Sequence, residues 1–164
     1  MKPISRKSLP QTITLFNLFK DPGTGQLAYY RTFLEGVRVD SCKTTLAASI
    51  RGVKKEYQSM VFIDPISTKG YDRRQDGGMA AKHFEIRQDW LKLTPQGRAD
   101  TWTLNEGDWL VFNLGEKITE CPNIGDLGLT EQQFRQEYGV RVISALPPTI
   151  DKDGSIHHWE AVLD

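Results

Sequence analysis

The chain has 164 residues, in which 21 Lys and Arg balance 21 Asp and Glu, with 38% hydrophobic and 26% charged residues. A chain of this length fits one domain that buries about two-thirds of the surface its unfolded form exposes, so a real core is expected. The balanced charge excludes an overall field drawing the protein onto nucleic acid or an acidic membrane, and the sequence has no apolar run long enough to span a bilayer.

Residues 1–11, "MKPISRKSLPQ", are polar and proline-bounded and predict a flexible N-terminal arm, with a single β-rich domain over 12–164. No apolar stretch of signal-peptide length follows, which predicts an intracellular protein at synthesis. The first strand is expected at 12–19, "TITLFNLF", where β-branched and aromatic residues gather before the turn signal "DPGTG". Its partner is expected at 29–42, "YYRTFLEGVRVDSC", giving a β-hairpin with both faces partly covered. Residues 43–58, with the cluster "RGVKKE", read as a solvated loop, and "MVFIDP" as a short buried strand ended by Pro65.

Residues 67–82, "STKGYDRRQDGGMAAK", carry three glycines and mixed charges. They predict a long polar loop insertion, functional or ordered by a neighbour, whose deletion over 71–78 would spare the fold. "HFEIR" resumes as a strand, "QDWLKL" places Trp90 and Leu93 on one side of a helical turn, and "TPQGRAD" is a turn-rich link.

In "TWTLNEGDWLVF", residues 101–112, "TWTL" and "DWLVF" have strand composition, and Gly107 in "NEGD" can take the positive φ of a tight turn. Two strands are therefore expected to pair through this turn. Trp102 shares a parity with Leu104, and Trp109 with Val111, while Leu110 and Phe112 face the other way. Trp102, Trp109, Phe112 and Trp159 are the predicted core anchors, since each large ring buries on the order of 150–250 Å².

The period then changes. "LTEQQFRQEYG", residues 129–139, has Thr130 as N-cap, Gln133 to close a capping box, Leu129 and Phe134 as a staple, and Gly139 just past the end. It is the one helix the pattern predicts with all its caps. "VRVISALPP" returns to period two, "TIDKDGS" turns, and "IHHWEAVLD" closes as a last strand with His157, Trp159 and Ala161 opposite His158, Glu160 and Val162. The fold class expected is mainly β (α+β), a small β-barrel or sandwich with one short helix and long extended loops.

Candidate chemistry is sparse. Cys42 and Cys121 stand far apart without a second cysteine beside either, which rules out a zinc knuckle or redox CxxC and leaves reduced thiols. Adjacent strand residues face opposite ways, so His157 and His158 should not chelate one ion together, and with His83 they are assigned structural roles. The carboxylate pairs Asp100 with Asp108 and Glu116 with Glu120 read as solvated. Phosphate loops, nucleophile elbows, HExxH and RNP or helix-turn-helix signatures do not occur. No catalytic, cofactor-binding or metal-ligating residue is nominated, no cofactor is expected, and the chain is not expected to be an enzyme.

Taken in order, "ITLFNLFKD", "YYRTFLEGV", "TWTLNEGDWLVF", "EQQFRQEYG", "VRVISALPP" and "HHWEAVL" resemble a family of head-to-tail structural proteins of tailed bacteriophages and prophages of Firmicutes. The second half is similar to the small barrels of head-closure, or stopper, proteins, and the chain departs from leaner members by its insert at 67–82 and by "CPNIGDLG". The resemblance implies a virion neck protein, made in the host cytoplasm, that forms a homo-oligomeric ring, a hexamer. That ring would lie between a portal or adaptor ring above and a tail terminator or tail protein below, closing the DNA channel with only non-specific contact to packaged DNA and none to membrane. A tail terminator or other minor head-tail protein is the alternative within the class. A small β-rich binding module or enzyme of the host is the alternative outside it.

Overall fold

The computed structural model describes residues 11–45, 55–112 and 123–164. Ten strands form one sheet, and six of them close into a barrel with extra strands and few short helices attached. The barrel wall runs β1 (Gln11–Lys20), β7 (Trp109–Val111), β8 (Arg141–Ala145), β10 (Ile156–Leu163), β3 (Lys55–Ile63) and β2 (Leu27–Thr45), and β2 pairs back onto β1. Closure gives each of these six a partner on both sides, and β2 and β10 keep lengths of edge that further strands occupy.

The expected first hairpin is present. Its turn is held by Asp21, whose carboxylate accepts the N–H groups of Gly23 and Thr24 at 2.8 Å each. Strand alternation then sorts the side chains. Ile13, Leu15, Leu34, Val61, Ile63, Leu110, Ile143, Ala161 and Leu163 fill the interior. Phe16, Phe33, Trp109 and Val111 point outward into a second apolar cluster, covered by α3 (Glu131–Glu137) and the 3-10 turn Ile124–Asp126. Phe16 meets Phe134 edge-on at 5.4 Å between ring centres. The N-terminus of α3 carries the predicted capping box between Thr130 and Gln133, and Gly139 follows with a φ of 60°.

β2 is the longest strand because it serves three partners. It pairs with β1 over Leu27 to Val37, and on its other edge with β4 (Lys69–Arg73) and then β3. β3 and β4 are thus one line along β2, broken at residues 64–68, where the buried Asp64 carboxylate accepts from the N–H of Ile66 (2.9 Å) and the hydroxyl of Ser67 (2.5 Å). Beyond β4 the sheet continues as a flank outside the barrel: β5 (Met79–Phe84) antiparallel to β4, then β6 (Thr101–Trp102) parallel to β5. β9 (Pro148–Ile150) pairs with β10. Two short helices, α1 (Arg87–Trp90) and α2 (Pro95–Ala99), join β5 to β6. Their packing centres on buried Trp90, against which Phe19 and Tyr30 stand edge-on, and on Arg98, whose guanidinium lies 3.7 Å from the Phe19 ring centre.

Several sequence expectations are corrected. The polar insertion at 67–82 is a β-hairpin, because β2 offers an open edge there and the Arg31–Asp72 ion pair (2.8 Å) fixes the register. Deleting 71–78 would remove most of β4 and that ion pair, so the fold would not be spared. Residues 43–45 and 55–58 of the supposed solvated loop pair as the far ends of β2 and β3, while 46–54 lie outside the described residues. Gln11, assigned to the arm, begins β1, and 1–10 also lie outside. "TPQGRAD" forms α2, capped by the Thr94 hydroxyl with Pro95 in its first turn.

The turn at Gly107 has the expected positive φ, 90°, but its flanking strands do not pair with each other. β6 leaves to join β5, while β7 sits between β1 and β8. A buried side chain imposes the divergence. Asn17 grips both sides of Thr103, donating to its carbonyl at 2.9 Å and accepting from its N–H at 3.2 Å. The backbone that a hairpin partner would need is already committed.

Candidate functional site

Where the flank leaves the barrel, an open groove of about 780 Å³ follows β4 and β5. Its apolar lining comes from Pro65, Tyr71, Met79, Phe84 and Trp102, and its polar lining includes Lys69, Lys82 and His83. Trp102 belongs to the barrel interior on one side and meets Phe84 on the other, ring centres 4.8 Å apart. A β-carbon at Gly70 would stand 2.5 Å from the Trp102 ring, so glycine is what lets β4 lie on the indole.

Lys82 is the unusual member. It is 6% exposed, and its ammonium donates to the Arg31 carbonyl at 2.6 Å, its one hydrogen bond among the described residues. Asp72 and Asp100 both favour its charge. Burial pushes its pKa down to about 8, against the pull of Asp72 and with repulsion from Arg31. Tyr71 has its phenol held above the usual value by burial and by Glu35, to which it donates at 3.3 Å. The arrangement can hold an apolar group against Trp102 and Phe84 and offer cationic donors to an anion.

A second polar centre lies inside the fold. Asp108 is 1% exposed and accepts from Asn17 Nδ2 (2.8 Å) and from the Leu18 N–H (3.0 Å). Burial raises its carboxyl pKa to about 7, opposed by the Leu18 N–H, the Arg87 charge and the Asn17 amide. Arg87 donates to the Leu18 carbonyl at 2.9 Å. This network ties β1, the 103–108 segment and α1 together, and its role is structural.

The predicted anchors divide between two cores. Trp102 is buried in the barrel interior, with Phe112 and Trp159 partly buried against it, whereas Trp109 lies under α3 in the outer cluster. Asp108, read as solvated, is among the most buried carboxylates, while Asp100 is exposed and Glu116 and Glu120 lie outside the described residues. The opposite facing expected of His157 and His158 does not hold here. A register shift between Ile156 and His158 breaks the alternation and brings the two Nδ1 atoms to 2.7 Å, a hydrogen bond in which one ring donates to the other. His158 Nε2 also stands 3.2 Å from Glu160, and among the described residues no group of three or more candidate ligands is placed to hold a metal ion. Cys42 lies in β2 and Cys121 outside the described residues.

Lys82 and Gly70 went unrecognised in the sequence because a lysine after two alanines and a glycine in a polar run carry no periodic signal. The sequence reading singled out residues 67–82 as a segment, and β4 and most of β5 fall within it. No protein-family model, curated protein or solved structure matches this chain.

Proposed function

We propose that this chain is a structural subunit of the neck of a tailed-bacteriophage or prophage virion, a head-closure (stopper) protein acting as a ring between the portal or adaptor and the tail. The observation that carries this reading is a coincidence of motif and wall. Of the six segments that carry the resemblance, "ITLFNLFKD", "YYRTFLEGV", "VRVISALPP" and "HHWEAVL" fall mainly on the barrel strands β1, β2, β8 and β10, "TWTLNEGDWLVF" divides between β6 of the flank and β7 of the barrel, and "EQQFRQEYG" forms α3. Most of the pattern therefore lies on the barrel wall.

A rigid barrel suits a ring, because cyclic symmetry repeats one modest contact until a closed, strong assembly results. The net charge of zero suits a channel that holds DNA without gripping its phosphates. On this reading the protein performs no catalysis. The groove favours a second reading, a small β-rich binding module of the host, since it joins an apolar wall to convergent polar groups.

Electron microscopy of lysates from a phage or prophage lacking the gene tests the proposal. Normal-length tails beside heads that have lost DNA are expected. Overlong tails would mean a tail terminator, and intact virions would overturn the neck reading in favour of the binding module.

A further inference from the structure

The flank groove combines length, surface chemistry and charge in a way that specifies an occupant. Five of the six residues of β5, all but Ala80, line it between Met79 and Phe84. At the usual rise this is about 20 Å, the reach of an extended peptide of similar length and more than a compact small molecule needs. Met79 is 40% exposed on its wall, and Ile66, 56% exposed, follows the lining residue Pro65 in the chain. The charged or titratable lining residues are Lys69, Tyr71, Lys82 and His83, and none of the lining residues is an acid, while Asp72 and Asp100 act on Lys82 and Glu35 on Tyr71.

We infer that this groove seats an extended segment of a neighbouring protein subunit in which apolar or aromatic side chains alternate with carboxylates. Apolar side chains of the segment lie against Phe84 and Trp102. A carboxylate meets the Lys82 ammonium, with Lys69 at the rim. Arg31, through its carbonyl, holds Lys82 in place before the partner arrives, so little side-chain freedom is lost on binding. The buried cation gives the pairing its specificity, since a basic segment would bring like charge into an apolar wall. This deepens, and rests on, the reading of the chain as an assembly subunit, for it names the chemistry of the surface to which a neighbour docks.

The test uses the full chain, labelled with nitrogen-15, and three end-blocked hexapeptides: alternating Phe and Glu, alternating Phe and Lys, and alternating Ser and Glu. The Phe-Glu peptide should shift the amide signals of Gly70, Ala81 and His83 saturably, at millimolar concentration or below, and the other two should not. Lys82→Met should weaken that binding about tenfold, equivalent to about 1.4 kcal/mol. Lys69→Gln, which removes an exposed charge without setting a second carboxylate opposite Glu35, should weaken it about threefold. Absence of saturable shifts, equal binding of the Phe-Lys peptide, or unchanged affinity in Lys69→Gln and a folded Lys82→Met would overturn the inference. The phenotype of a lysate lacking the gene does not depend on these results, so the groove and the neck reading fail separately.

Discussion

The barrel and its flank use one sheet in opposite ways. In the barrel, six strands close on themselves, the interior is filled by aliphatic side chains, and the outer face of β1, β2 and β7 is sealed by α3. In the flank, β4, β5 and β6 extend from β2 as an open sheet whose residues include the buried cation Lys82 and the exposed Met79. Closure spends apolar surface on stability, whereas the open sheet keeps apolar surface accessible. Trp102 joins the two, one face in the barrel core and one on the groove.

That division can be broken at its seam. Trp102→Ala should cost about 3–5 kcal/mol, the range for truncating a large buried aromatic, and lower the melting temperature of the whole domain. A small effect would mean that the flank and barrel are not mechanically joined. Gly70→Ala is the gentler version. Its β-carbon would meet the Trp102 ring at 2.5 Å, and relieving the overlap should cost about 1–3 kcal/mol while perturbing the groove signals first. If urea unfolding of this variant matched the wild type, the close approach of β4 to the indole would be wrong.

The Asp108 network sharpens the comparison through pH. A carboxyl raised from 3.8 to about 7 binds its proton more tightly in the folded chain than in the unfolded one. Its stabilising contribution is therefore complete below pH 3.8 and lost as the pH rises through about 7. The urea midpoint of the wild type should accordingly fall between pH 5 and pH 8 relative to Asp108→Asn, which lacks the titration (about 1.4 kcal/mol per pH unit is the limiting slope). Parallel pH profiles would show that Asp108 does not titrate in this range. Thr130→Ala gives the smallest effect, about 1 kcal/mol from the lost cap of α3, and should leave the flank untouched.

The barrel was legible in the sequence to the extent that its strands alternate. The parity of Leu110 and Phe112 against Trp109 and Val111 separates inner from outer core, and the Thr130 and Gln133 pair marks the helix start. What escaped was set by tertiary partners. β4 and β5 contain few β-branched residues and are strands because β2 has an edge to fill, and "TWTL" parts from "DWLVF" because Asn17, 86 positions from Thr103, holds its backbone. Asp108 read as a solvated turn acid, since no local pattern shows that Asn17 and the Leu18 N–H meet it in the interior. The groove escaped because all of its lining residues but Trp102 lie within 65–84, a stretch read largely as a polar loop, and only the pairing of β4 with β5 beside the Trp102 ring makes a wall of it.

One measurement tests most directly whether the barrel carries the fold and the flank carries recognition. On the neck reading, a phage or prophage lacking the gene would be complemented with the Lys69→Gln chain, whose melting temperature is measured alongside. An unchanged melting temperature with separated heads and tails in the lysate is the predicted result. Full virion yield from that variant, or loss of its fold, would contradict it.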